Sequence, residues 1–321
     1  MGGDKAPQAV VAGAINAARA MPTVKIVLVG DSAIVQTHLD ALGATPPNLV
    51  VHHAAQVVEM CDAPGVAMRQ KPNSSISIGM KLVRDGMADG IISAGNSGAM
   101  MAGAMLILKA QPGIDRPAIA TFLPTKAGRV ILLDAGATAD CKPSNLVQFA
   151  QLGSAYATWV LQQPTPRVGL LSIGEEPSKG NELTKETHQL LLASGLNFVG
   201  NVEPKEVVQG VVDVVVCDGF VGNLMLKAAE GFCETILSLI KEQFTQGGWK
   251  NRLLGYFVAP LLRRVAKRVD YAEYGGALLL GTNGIVVISH GRSNELAIQN
   301  AINVAARAAA HRTAPPITVT A

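Results

Sequence analysis

Aromatic residues are scarce in this 321-residue chain: two Trp, four Tyr and seven Phe, 4% in all. A core of this size must therefore be packed mainly by Val, Leu, Ile, Ala and Met. Cysteines are few as well. Cys61, Cys141, Cys217 and Cys233 stand far apart with no Cys-x-x-Cys. That excludes a disulfide framework and a cysteine-based zinc site, and fits reduced thiols of a cytoplasmic protein. No run of about 18 uncharged apolar residues occurs, so no membrane span is expected. The opening Gly-Gly-Asp-Lys lacks the apolar stretch of a secretory leader, and none is expected. A net charge of +3 is too small to argue for nucleic acid. His52, His53 and His290 have no partners at metal-ligand spacing, so neither metal nor cofactor is expected. No G-x-G-x-x-G follows an apolar run, and no Walker P-loop is present. The stretch "GNSGA" is not a G-x-S-x-G nucleophile elbow.

What is present is one unit used repeatedly. A short Val/Ile/Leu run leads into a turn with Gly or Asn, then into an Ala/Leu-rich stretch of helical period. "VKIVLVG" (24–30), "DGIIS" (89–93), "RVILLDAG" (129–136), "RVGLLSIG" (167–174) and "VVDVVVCDG" (211–219) are the runs. Asp31 or Ser32 is the expected cap after the first run, and Pro143 suits a first helical turn. "YGGALLLGTNGIVVISHG" (274–291) reads as a late strand pair, and an Ala-rich helix over about 294–311 follows. Runs apolar on both faces imply a mostly parallel sheet covered by helices on each side. We expect a three-layer α/β/α sandwich, Rossmann-like, built as one α/β body over 1–321 or a bilobed one.

Ligands of such folds sit beyond the carboxyl ends of the strands. The post-strand turns offer Asp4; Gly95, Asn96, Ser97 and Gly98; Asp134 and Gly136; Asn181, Glu182 and Lys185; and Asp218, Gly222 and Asn223. Free N–H groups at a helix start attract anions, and glycine lets a phosphate reach them. The same residues also serve as ordinary N-caps and tight turns. Lys185 lies four residues after Asn181, close to a helix start, where its charge opposes the macrodipole. It is either a solvated surface lysine or the partner of a bound anion. His188, one turn further, reads as a packing or surface residue.

Charge is uneven. Residues 241–270 hold seven Lys or Arg against two acidic residues. They are mixed with Trp249, Leu253, Leu254, Tyr256, Phe257 and Leu261. Gly255 and Pro260 predict two short helices forming a tip at about 240–271. Such a tip fits an anionic membrane surface, an acidic protein, or a dimer interface.

Together, "MGGDKAP", "SAGNSGA", "GIDRPAIA", "LLDAGA", "KGNELTKET", "VVCDGFVGN" and "YGGALLLG", in that order, resemble the signatures of the bacterial acyl-ACP:phosphate acyltransferase (PlsX) family over nearly the whole chain. The resemblance implies a fold similar to phosphotransacetylases and to isocitrate and isopropylmalate dehydrogenases. It implies reversible formation of acyl phosphate from acyl-acyl-carrier-protein and inorganic phosphate, early in phospholipid (phosphatidic acid) synthesis. It also implies a cytoplasmic homodimer at the inner face of the membrane, working beside a membrane glycerol-phosphate acyltransferase. Lys185 and Asn223 become the first candidates for catalysis, with Asp4, Asn96, Asp134, Asn181, Glu182 and Asp218 around the substrate. Alternatives are a phosphotransacetylase using acyl-CoA, a non-catalytic phosphate-binding scaffold, and, third, a nicotinamide dehydrogenase.

Two departures stand out. Cys217 and Val221 occupy positions where Thr or Ser is expected. The family also has a short strand ending in Asp ahead of "MGGD". Without that strand, its neighbours' edges are expected to stay unpaired.

Overall fold

The computed structural model describes residues 2–246, 248–269, 273 and 275–311. In chain order the elements are α1 (Gln8–Ala20), β1 (Ile26–Gly30), α2 (Ser32–Ala41), β2 (Leu49–His53), α3 (Pro64–Gln70), α4 (Ser75–Arg84) and β3 (Gly90–Ser93). Then come α5 (Ser97–Gly103), continued by a π turn over Ala104–Leu108, β4 (Ala118–Thr125), β5 (Gly128–Leu133), α6 (Pro143–Val160) and β6 (Val168–Leu171). The chain goes on through α7 (Glu182–Leu192), β7 (Phe198–Val202), α8 (Pro204–Gln209) and β8 (Val214–Val216). It ends with α9 (Gly219–Gln246), α10 (Trp249–Val269), β9 (Ala277–Leu280), β10 (Ile285–Ile288) and α11 (Glu295–His311). Asp31 caps α2 through the Ala33 and Ile34 N–H groups, and Pro143 opens α6, as the sequence implied. The runs β2, β4 and β7 carry too many polar residues or glycines to stand out as apolar stretches.

The chain divides into two compact units, Met1–Thr121 with Tyr274–Ala321, and Phe122–Glu273. In the first, β3 pairs with β10 in parallel, and β9 runs antiparallel to both β10 and β4. β9 and β10 are the strand pair expected from residues 274–291. Every residue of β10 is buried, so both its faces are covered. Val11, Ala14, Ile15 and Ala18 of α1 meet Ile298 and Ile302 of α11 in one cluster that also holds Ile26 and Leu28 of β1. β1 pairs with β2 in parallel, and among the described residues no strand takes its other edge. β3 is likewise open on one edge. A cavity of about 510 Å³ lies between these two strands. Both open edges face this cavity.

In the second unit the strands run in the order β5-β8-β6-β7, all parallel. Val214–Val216 and Val168–Leu171 are fully buried, which requires cover on both faces. α6 packs on β5 and β8, α7 on β6 and β7, and α9 on β5. A Cβ on Gly153 of α6 would fall 2.7 Å from Val214, so this glycine brings helix and strand together.

The basic segment corrects the expected pair of short helices. α10 runs unbroken from Trp249 to Val269, with Pro260 inside it. Packing against α9 outweighs the local penalties of Gly and Pro. At Gly255 the absent side chain admits Phe244 of α9, whose Cβ would lie 2.9 Å from a Cβ built there.

Candidate functional site

β5, β8 and β6 are neighbouring parallel strands, with Leu133 beside Val216 and Val216 beside Leu170. The turns after them therefore open at the same end of the sheet. Asp134 follows β5 and is fully buried. A buried carboxylate must be hydrogen-bonded, and its own turn supplies the donors. The N–H of Gly136 (3.1 Å), of Ala137 (2.9 and 3.0 Å) and of Thr138 (2.7 Å) all point to its oxygens. Asp134 thus shapes this turn from within.

The first turn of α9 closes against it. Asp218 caps α9 by accepting the Val221 N–H at 2.9 Å. Gly219 donates its N–H to the Thr138 carbonyl at 2.8 Å, and a Cβ there would meet Asp134 Oδ2 at 2.6 Å. A Cβ on Gly222 would collide with the Asp134 carbonyl oxygen. Gly136, with φ of +133°, has the Asn223 side chain 3.4 Å from where its Cβ would stand. Asp134, Gly136, Asp218, Gly222 and Asn223 are thus gathered in one place, with the Asn223 amide over the glycine. Val221 is exposed and Cys217 buried. Burial and the Asp134 charge push the Cys141 thiol up to about 12, and burial beside Asp218 and Asp134 raises Cys217 far above the usual thiol range. Neither thiol is a nucleophile near neutral pH.

The turn after β6 carries the third group. Asn181 caps α7, its Oδ1 accepting the Thr184 N–H at 2.9 Å. Glu182 is the first helical residue, with its charge at the favourable end of the helix dipole. Lys185, one turn in, is exposed. His188 is buried, and reading it as part of the packing is correct as far as it goes. It also anchors this turn: the Asn201 Nδ2 donates to the Glu176 carbonyl (3.0 Å), so Asn201 Oδ1 faces His188 and accepts its Nδ1–H at 2.9 Å. No sequence pattern points to Asn201; the turn at Gly136 is legible as a candidate, but that its N–H groups are turned onto Asp134 is not.

In the first unit the turn after β3 is equally fitted. Asn96 caps α5 through the Ala99 N–H at 2.9 Å. Its Nδ2 donates inward to the carbonyls of Glu59, Met60 and Asp62 at 3.0 to 3.2 Å. The side chain ties helix start to loop, and its amide hydrogens are engaged there. Gly98 gives room to Pro64, whose Cγ would be 2.5 Å from a Cβ. Gly95 donates to Ser93 Oγ at 3.1 Å and lies against Gly2. Asp4 donates its N–H to the Gly291 carbonyl at 2.8 Å, and its carboxylate and the Ser97 side chain are exposed.

In α10, Leu253, Leu254, Tyr256, Phe257 and Leu261 are each more than half exposed, Tyr256 at 77% and Phe257 at 68%. Trp249 opens this helix; its side chain lies outside the described residues. Among the described residues no helix is long and apolar enough to cross a membrane.

Residues 1–314 match the family model described as fatty acid synthesis protein. Phosphate acyltransferase of Syntrophotalea carbinolica is 48% identical over 97% of this chain and 89% of its own length. That of Synechocystis sp. is 48% identical over 96% and 88%. Among solved structures, the EutD phosphotransacetylase of Staphylococcus aureus aligns with a TM-score of 0.62 over 94% of this chain and 91% of its own, at 18% identity. A phosphotransacetylase of Streptococcus pyogenes aligns equally well at 20% identity. These likenesses support the α/β/α fold.

Proposed function

The chain belongs to the fatty acid synthesis protein family, and on that premise we propose that it is a phosphate acyltransferase that makes acyl phosphate from acyl-acyl-carrier-protein and inorganic phosphate. The carrying observation is the shared end of β5, β8 and β6. There a glycine-lined turn follows β5, Asn223 lies in the first turns of α9 after β8, and the exposed Lys185 lies in α7 after β6.

The chemistry asks little of side chains. A phosphate oxygen attacks the thioester carbonyl carbon, and the C–S bond breaks from the tetrahedral adduct. The proton of the phosphate ends on the departing thiol. Phosphate is largely ionised near neutral pH and needs no strong base. A thiol of pKa about 8.5 leaves readily. What remains is to hold phosphate against the carbonyl and to stabilise the oxyanion. Lys185 supplies charge to the phosphate or the oxyanion, and the Asn223 amide and helix-start N–H groups supply donors. Asp134, Gly136, Gly222 and Asp218 shape the turn around them, with Asn181 and Glu182 at the start of α7. Asp4 and Gly95 to Gly98 of the first unit are further candidates for substrate binding, on the resemblance of their motifs alone. No cofactor enters this reaction.

Acyl phosphate is a reactive mixed anhydride, so a consuming acyltransferase is best placed close by. A homodimer at the inner membrane surface, feeding a membrane glycerol-phosphate acyltransferase on the way to phosphatidic acid, fits that need. The exposed apolar and basic face of α10 is the surface we assign to anionic lipid. The decisive test is mass detection of acyl phosphate, with acyl-carrier-protein and acyl-CoA thioesters compared as donors. Product from the carrier-protein thioester at the higher kcat/KM is expected. A preference for short acyl-CoA would make the chain a phosphotransacetylase, and phosphate binding without product would make it a scaffold.

A further inference from the structure

The loop between β6 and α7 hangs on one side chain. Ile173 and residues 175–179 are exposed. Glu176 closes a turn inside the loop, its carbonyl accepting the Lys179 N–H at 3.0 Å. The same carbonyl accepts an amide hydrogen of Asn201 Nδ2, also at 3.0 Å. Among the described residues no other hydrogen bond ties residues 173–180 to the rest of the unit. Ser172 Oγ lies buried 3.0 Å from where a Cβ of Gly180 would stand, yet it holds the loop by no hydrogen bond.

Asn201 also holds the helix that follows. It stands on β7 beside Leu170 of β6 and is buried. Its Oδ1 accepts the Nδ1–H of His188 at 2.9 Å. His188 is buried too, and its ring meets Phe198 edge-on at 5.2 Å. The amide cannot be reversed, because a flipped Oδ1 would face the Glu176 carbonyl oxygen, and neither can donate. An apolar pair would fill the same place without giving its contact a direction. Hydrogen bonds at both ends of a buried amide leave one arrangement. One group therefore sets the loop at Glu176 and the roll of α7 about its own axis at His188. Lys185 precedes His188 by three residues, so the angle of one fixes the angle of the other. Asn181, where the loop enters the helix, is fixed with them.

We propose that Asn201 is a positioning residue for phosphate. Through Glu176 and His188 it sets where Asn181 and Lys185 meet the anion, without touching the anion itself. The proposal rests on the phosphate acyltransferase reading of this site.

Asn201→Leu removes both bonds at similar volume. His188→Phe removes one and keeps a ring against Phe198. Steady-state kinetics with acyl-acyl-carrier-protein and phosphate separate a misplaced site from a weakened fold. Loss of folded enzyme lowers kcat and leaves KM alone. Misplacement raises KM for phosphate, at least fivefold in Asn201→Leu, while KM for the acyl donor stays within twofold. The double variant sets apolar against apolar, so its Tm should recover toward wild type while KM for phosphate stays raised. A wild-type KM for phosphate in Asn201→Leu overturns the proposal, as does a KM that recovers with Tm in the double variant. Where Asn201→Leu does not fold, a threefold rise in His188→Phe carries the same test, and an unchanged KM there overturns it. Inorganic phosphate alone, titrated by phosphorus NMR, separates this inference from the reaction. If the wild-type chain binds phosphate but makes no acyl phosphate, the reaction falls and the positioning role is read from Kd, which should rise by the same factor. Equal Kd in wild type and variant, or no phosphate binding by wild type, overturns it.

Discussion

The turns after β5 and β8 and the face of α10 depart from ordinary protein surface in opposite ways. In the turns, polar groups are buried: Asp134 is wholly inside, yet its carboxylate accepts N–H bonds from three residues. On α10, apolar groups are exposed: Tyr256 and Phe257 pack edge to face on each other and otherwise stand largely in water. The first arrangement fixes geometry, because a satisfied buried charge permits few alternatives. The second fixes nothing internally and is useful only if something outside receives it. In the function we propose, the rigid turn carries the chemistry and the greasy helix the placement.

The comparison breaks most readily at Gly222. Gly222→Ala pushes a methyl into the Asp134 carbonyl oxygen. We expect more than a hundredfold loss of acyl-phosphate formation with a lower Tm, read by mass detection and calorimetry. Overpacking of this kind costs about 1–3 kcal/mol or more. Wild-type values in both would show that the turn is softer than described. Lys185→Ala is expected to lose at least tenfold in turnover, about 1.4 kcal/mol of barrier, with Tm unchanged because the side chain is exposed. Near-normal turnover would remove Lys185 from the mechanism.

The third variant addresses the other region. Leu254→Asp with Phe257→Asp should release the protein from vesicles containing anionic lipid, while turnover of soluble donor stays within twofold. Undiminished co-sedimentation would end the membrane reading of α10. The smallest effect is expected at the thiols. Iodoacetamide at pH 8 should label exposed Cys61 well before Cys141 and Cys217, whose thiolates are suppressed. A raised thiol pKa stabilises the fold below the unfolded value, and that contribution is lost as pH climbs from about 9 toward 12. Melting in that window should therefore flatten in Cys141→Ala. Equal labelling of all three cysteines would contradict the burial.

Much of this architecture is readable from residue order alone. The apolar runs mark β1, β3, β5, β6 and β8, and the Gly and Asp residues after them mark the turns. Where each side chain points is not readable. Asn96 and Asn181 share a place just before a helix, yet the Asn96 amide is drawn inward by three carbonyls from residues 59–62. Those partners come from a loop more than thirty residues away in sequence, and no local rule supplies them. Gly255 and Pro260 mislead for the same reason: helix-breaking residues are local facts, while Phe244 seated at Gly255 is a tertiary one.

The bonds onto Asp134 also bear on timing. N–H groups spent on an internal carboxylate hold the shape of the turn before any substrate arrives. In the function we propose, the turn acts as a mould cast during folding, which phosphate meets without a closing motion. Binding at such a mould is governed by encounter and desolvation. Its rate should then respond to solvent viscosity and ionic strength far more than to substitutions that loosen distant loops.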